Sequence, residues 1–253
     1  MSVTPATLTR KERREAARRA RHQAPAPRST RRRPGLALLS AFGLLGGLLI
    51  VVLAVALGSR PAVPASASAQ VAIDRVPAGL VTDGFAIGRA DAPVTIDLYE
   101  DFQCPACRSW ASGVFPRLAQ NELANGTVRI VFHDMAFLGS ESIDAGLAAY
   151  AAAEQGRFWD MWATIYVNQG HENSGAFSRE RLIAMAQGLE LDIARFESDW
   201  ASTAAKAALE TSQAEAAAAG VSSTPTVIVD GQVLVGVQPY AELAAMIESV
   251  HAQ

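Results

Sequence analysis

The chain has 253 residues, half of them hydrophobic and 19% charged, with a formal net charge of −3 and two cysteines. These totals fit a globular protein and exclude a disordered or collagen-like chain. Two cysteines are too few for a disulfide-dense scaffold, and the overall charge gives no general affinity for nucleic acid.

The net charge hides a division along the chain. Residues 1–34 hold eleven Lys or Arg against Glu12 and Glu15, a local charge of +9, and the remainder sums to −12. This Pro- and Ala-containing stretch reads as a basic cytoplasmic tail rather than a nucleic-acid site. Leu36 to Leu57 then carries no charge and is interrupted only by Ser40, Gly43, Gly46 and Gly47. Its 22 positions are enough to cross a hydrocarbon core as a helix. A transmembrane helix over residues 35–58 is therefore expected. The dense positive charge before it places the N-terminus in the cytoplasm and the rest of the chain outside, at the cell membrane.

A cleaved export signal is the competing reading, because Ala65-Ser66-Ala67-Ser68-Ala69 offers cleavage sites and Thr30-Arg31-Arg32 resembles part of a twin-arginine signal. The apolar run is longer than a signal core, and those alanines lie well beyond its end, which favours a retained anchor. Both readings export the C-terminal bulk of the chain. Residues 59–80, rich in Pro, Ala and Ser in their first half, are expected to form a flexible linker, and residues 81–253 one folded domain. No repeat of solenoid length is visible.

Within that domain, Val94-Thr95-Ile96-Asp97-Leu98-Tyr99 predicts a strand, and Cys104 to about Ala124 a helix kinked at Pro116 and ended by Asn125-Gly126. Thr127 to Phe132 predicts a second strand. Helical periodicity then runs from about Ser140 to Ala219, its first stretch ending near Gly170. Val227-Ile228-Val229 and Val233-Leu234-Val235 flank Asp230-Gly231 and Gln232, a tight-hairpin signal. A last amphipathic helix is expected from about Pro239 to Val250. The order is α/β with an all-helical insertion over about 138–215.

Both cysteines fall in Cys104-Pro105-Ala106-Cys107, just after a strand and at the start of a helix, the context of a redox pair. A helix N-terminus stabilises a thiolate, so Cys104 is expected to be the nucleophile. Cys107, one turn further in, is expected to be more buried and to resolve mixed disulfides. A purely structural disulfide across two residues would restrict the unfolded chain little. A zinc site needs two more ligands, and His133, His171 and His251 show no recognisable spacing, so no metal is expected.

Asp91-Ala92-Pro93-Val94-Thr95-Ile96, Tyr99 and Asp101-Phe102-Gln103-Cys104-Pro105-Ala106-Cys107 together resemble the opening of a DsbA-like thiol–disulfide oxidoreductase of the thioredoxin superfamily. The resemblance continues through Ala152-Ala153-Glu154-Gln155-Gly156-Arg157-Phe158-Trp159 and Asn168-Gln169, similar to that family's inserted helical domain. Gly220-Val221-Ser222-Ser223-Thr224-Pro225-Thr226 is similar to its cis-proline segment. The resemblance implies a thioredoxin fold, a Cys104–Cys107 disulfide as the only redox group without a separate cofactor, and a cis bond before Pro225 beside Cys104. It also implies that the Thr224 backbone pairs with extended substrate chains and that the Thr224 hydroxyl lies near the sulfur. Pro105 and Ala106, which offer no polar group, would set the potential with Thr224.

The family's buried acid six residues before the first cysteine is missing, since that position is Leu98. Asp97 and Glu100 lie nearby, and the sequence names no general base. Trp110, Phe158, Trp159 and Trp162 at helical spacing read as core rather than as a substrate groove. His133 reads as a strand-end polar residue. The resemblance implies an oxidase for exported protein thiols, acting as a monomer and reoxidised by a quinone-linked membrane partner of the DsbB or VKOR kind. A membrane-anchored reductase of the cytochrome c assembly type and a non-catalytic peptide-binding chaperone or adaptor stay open. An isomerase finds no room for a dimerisation domain in the linker.

Overall fold

The computed structural model describes residues 75–253. The basic tail at 1–34, the expected transmembrane helix at 35–58 and the linker up to residue 74 lie outside the described residues. Among the described residues, no helix is long and apolar enough to cross a membrane.

Six strands of the described residues form one sheet: β1 (Thr82–Asp83), β2 (Ala86–Ile87), β3 (Val94–Glu100), β4 (Val128–Asp134), β5 (Thr226–Val229) and β6 (Gln232–Val235), in the order β1-β2-β4-β3-β5-β6. The central pair, β3 and β4, is parallel and in register from Val94 opposite Val128 to Glu100 opposite Asp134. A parallel pair cannot be closed by a hairpin and needs a crossover, which the helix after the cysteine motif supplies. β3 and β4 bury Val94, Ile96, Leu98, Val128, Ile130 and Phe132 on one face, the period of two expected of strands. The β1–β2 hairpin at the edge has no counterpart among the expected elements; two-residue strands are too short to show a hydrophobic period. Before it, Val76 and Leu80 pack against the core.

The crossover is not the single kinked helix that the sequence predicts. It divides into α1 (Pro105–Gly113), a short α2 (Phe115–Leu118) and a π-helical turn at Ala119–Leu123. Pro116 has no amide hydrogen for the carbonyl four residues back and its ring crowds that turn, so the helix breaks two residues earlier, after Gly113.

Between β4 and β5 stand five helices: α3 (Ser140–Ala153), α4 (Phe158–Val167), α5 (Arg179–Gly188), α6 (Ile193–Trp200) and α7 (Thr203–Ala218). The stretch expected to run toward Gly170 is interrupted at Gly156, whose φ of 70° turns the chain between α3 and α4. Asp192 and Ser202 cap α6 and α7 by accepting from the amides of Arg195 and Ala205. In the β5–β6 hairpin Val229 pairs with Gln232, which leaves Asp230-Gly231 as a two-residue loop with φ of 48° and 76°. Two positive φ values make this the turn whose twist matches the strands. Gln232, expected in the turn, belongs to β6. α8 (Tyr240–His251) closes the chain.

Aromatic packing joins the helical block to the sheet. Trp110, Phe158, Trp159 and Trp162 are each at most 2% exposed, which places them in the core. Phe115 stacks on Trp159 with ring centroids 5.8 Å apart, and Phe132 of β4 meets Phe158 at 5.1 Å. Each such ring contributes ~1.5–3 kcal/mol on burial.

Candidate active site

β3 delivers the chain to Glu100, and α1 begins at Pro105, so residues 101–104 must turn from sheet to helix within four positions. Asp101 holds this turn. Its Oδ1 accepts from the Gln103 amide at 2.7 Å and the Ser142 hydroxyl at 2.6 Å, and its Oδ2 from the amides of Phe137 and Leu138 at 2.8 and 2.9 Å. Gln169, just beyond α4, donates to the carbonyls of Phe102 and Cys104 at 2.7 and 3.0 Å. The Asn173 amide donates to Gln103 Oε1 at 2.6 Å. The helical block therefore grips the backbone that carries Cys104.

Cys104 is the N-cap of α1 in extended conformation, and Pro105 fills a first-turn position where no amide hydrogen is needed. Both cysteines are thiols; Cys104 is 8% exposed and Cys107 fully buried. The Cys104 pKa is lowered to about 5. The largest cause is the hydrogen bond from the Cys107 thiol, opposed by burial and helped by Thr224 and by the amides of Cys107 and Ala106 at the helix start. Burial first, then the hydrogen bond to Cys104 and the charge of Glu100, drive the Cys107 thiol strongly upward. One sulfur is thus a ready thiolate and the other holds its proton.

Across the site, the Thr224–Pro225 peptide bond is cis, and the Cys104 sulfur lies 3.4 Å from the Thr224 carbonyl oxygen, to which it donates only when protonated. The contact runs through this carbonyl. The Thr224 hydroxyl, expected beside the sulfur, favours the thiolate but makes no hydrogen bond of regular geometry among the described residues. Pro105 is exposed and Ala106 half-buried, so neither brings a polar side chain to the sulfur. The structure thus gathers Cys104, Cys107, Thr224, Pro225, Pro105 and Ala106 at one end of the sheet.

The sequence alone singles out no proton acceptor, whereas the fold sets Glu100 beneath the motif. This residue is fully buried; its Oε2 accepts from Trp162 Nε1 at 2.9 Å and from the Tyr166 hydroxyl at 3.0 Å, and its Oε1 has no partner among the described residues. Burial raises its pKa to about 8 against those two hydrogen bonds, with the charges of Cys104 and Asp134 adding to the rise. The strand's period of two was the available signal, since it puts Glu100 on the buried face of Ile96 and Leu98. Asp97 instead reaches Nε2 of His133 at 3.0 Å, with Glu215 at 3.1 Å from Nδ1. His133 also stacks on Tyr99, with centroids 4.4 Å apart. Among the described residues, no cluster of three or more His, Cys, Asp or Glu forms a metal site.

A family profile described as Thioredoxin matches residues 81–249. The probable disulfide bond formation protein D of Bacillus anthracis is 31% identical over 150 residues, covering 57% of this chain and 69% of that protein. The Na(+)/H(+) antiporter NhaA of Herminiimonas arsenicoxydans is 33% identical over 162 residues, which are 64% of this chain but 25% of the antiporter. Among solved structures, oxidised BdbD from Bacillus subtilis is similar in fold, with a TM-score of 0.63 at 22% identity over 67% of this chain and 94% of that one.

Proposed function

The chain belongs to the thioredoxin family as a thiol–disulfide oxidoreductase, and from that premise we propose that it runs as an oxidase, donating the Cys104–Cys107 disulfide to exported proteins. A substrate thiolate attacks Cys104, the sulfur nearer solvent, and Cys107 leaves and takes a proton. A second substrate thiolate then attacks the first, releasing Cys104 as thiolate and completing the substrate disulfide. Two electrons pass from substrate to enzyme, leaving a dithiol that a quinone-linked membrane partner of the DsbB or VKOR kind reoxidises. The anchor over residues 35–58 would keep the domain beside that partner.

One observation carries the direction. The Cys104 thiolate is favoured down to about pH 5 by groups that act on it only in the reduced state, chiefly the Cys107 thiol. Stabilising the reduced form makes the disulfide the stronger oxidant. Equilibrating the full chain with reduced and oxidised glutathione tests this: the expected potential is well above thioredoxin's. A potential as reducing as thioredoxin's would sink the oxidase reading and favour the reductase. A pure peptide binder would hold substrate equally well with both cysteines replaced by serine.

A further inference from the structure

Glu100 has a neighbour of the same kind. Asp134 is its register partner on β4, so the two carboxyl groups leave adjacent parallel strands on the same face, with backbones ~4.8 Å apart. Each has one buried oxygen without a hydrogen-bond partner among the described residues, Glu100 Oε1 and Asp134 Oδ1. Glu100 is fully enclosed, whereas Asp134 is 8% exposed and borders a cavity of about 270 Å³ lined also by Gly146 and Tyr150 of α3, His133, and Ser212 and Glu215 of α7. None of the cysteine-loop residues lines that cavity. Gly146 is the place where α3 yields: a Cβ there would stand 2.1 Å from Asp134 Oδ2. A mid-helix glycine costs ~1 kcal/mol relative to alanine, and here it leaves room for a buried acid.

We propose that Asp134 is a second acid in the proton path of Cys107: Glu100 exchanges a proton with the Cys107 sulfur, and Asp134 passes it between Glu100 and solvent in the cleft between α3 and α7. The proposal rests on the thiol–disulfide reading above. When a thiolate attacks Cys104 of the disulfide, the Cys104–Cys107 bond breaks and Cys107 leaves with the electron pair. The Glu100 carboxyl gives that sulfur its proton, Asp134 reprotonates Glu100, and cleft solvent reprotonates Asp134. When Cys107 attacks a mixed disulfide the same steps run backward.

The surroundings suit the task. Glu100 is faced by Cys104 and Cys107 from α1, by Trp162 and Tyr166 from α4 and by Asp134 from β4. Asp134 is faced by Asp101 and Tyr166 as well as Glu100, and His133, held between Asp97 and Glu215, stands at the cavity wall. No Lys or Arg is among these groups, so burial, then the charge of Asp101, keeps the Asp134 carboxyl protonated well above the ordinary carboxylate range. Glu100, with its pKa raised to about 8, lies near working pH and both gives and takes a proton readily.

The test measures opening of the Cys104–Cys107 disulfide by reduced glutathione in the full chain between pH 5 and 9.5, by acid quench and alkylation. Glu100→Gln is expected to slow opening about ten-fold or more and to remove an inflection near pH 8. Asp134→Asn should slow it about three-fold or more, yet add nothing in the Glu100→Gln background, because the two act in series. An unchanged rate for Asp134→Asn, or slowing that adds fully to that of Glu100→Gln, would overturn the relay. If a variant fails to fold, carboxyl carbon NMR of the wild-type chain decides. Glu100 and Asp134 should titrate in two coupled steps that shift when the cysteines are oxidised, whereas independent single steps blind to redox state would reject the idea. Peptide oxidation is scored separately: its absence counts against the oxidase reading, while opening by glutathione still decides the relay.

Discussion

At the scale of single residues, the site makes two thiols of one motif unequal by giving them different neighbours. The sequence predicts an acidic Cys104 from its place at a helix start, and the amides of Ala106 and Cys107 do act there. The larger influence, though, is the Cys107 thiol, which gives its hydrogen to Cys104 because burial forbids it to ionise. Replacing Cys107 by alanine should therefore raise the midpoint of Cys104 thiolate absorbance clearly above about 5. Thr224→Val should raise it less, by removing the hydroxyl while keeping the carbonyl that meets the sulfur. A midpoint unmoved in Cys107→Ala would transfer the credit to the helix N-terminus.

At the scale of elements, the cysteine loop is held by groups that come from far along the chain. Asp101 accepts from positions 36, 37 and 41 residues away, and Gln169 donates across 65 and 67. Asp101→Ala leaves the Phe137 and Leu138 amides without their acceptor inside the protein, so it should destabilise the domain by ~3 kcal/mol or more, with Asp101→Asn costing less. Urea unfolding measures this, and a loss under ~1 kcal/mol would show that the loop is held elsewhere. Such long separations also mark what the sequence could and could not show. β3, the Asp230-Gly231 hairpin and α8 were legible because local period and turn chemistry agree there. The cysteine pair was legible because strand, motif and helix are contiguous. The Asp101 and Gln169 clamps have no local pattern, the break after Gly113 depended on how Pro116 was accommodated, and Glu100 needed only the strand's period to be carried one step further.

At the scale of the whole molecule, the redox state of two sulfurs should be readable in the stability of the fold. The folded Cys104 pKa of about 5 lies below the ~8.5 of a free cysteine. A depressed pKa contributes stability that is fully present above the unfolded value and is lost as pH falls through the folded one. Only the reduced chain has this contribution, since the disulfide has no thiol to titrate. Glu100 works the other way: with its pKa raised to about 8, its contribution declines as pH rises from the ordinary carboxylate range through 8, but it is present in both redox forms and largely cancels in their difference. The disulfide itself closes too short a loop to offset the effect by constraining the unfolded chain. Melting curves of reduced and oxidised chain should therefore show the reduced form melting higher at pH 7.5 and the gap narrowing steadily toward pH 4.5. A chain whose oxidised form melts higher at pH 7.5 would have its disulfide as the stabilised partner, and it would then serve as a reductant rather than an oxidase.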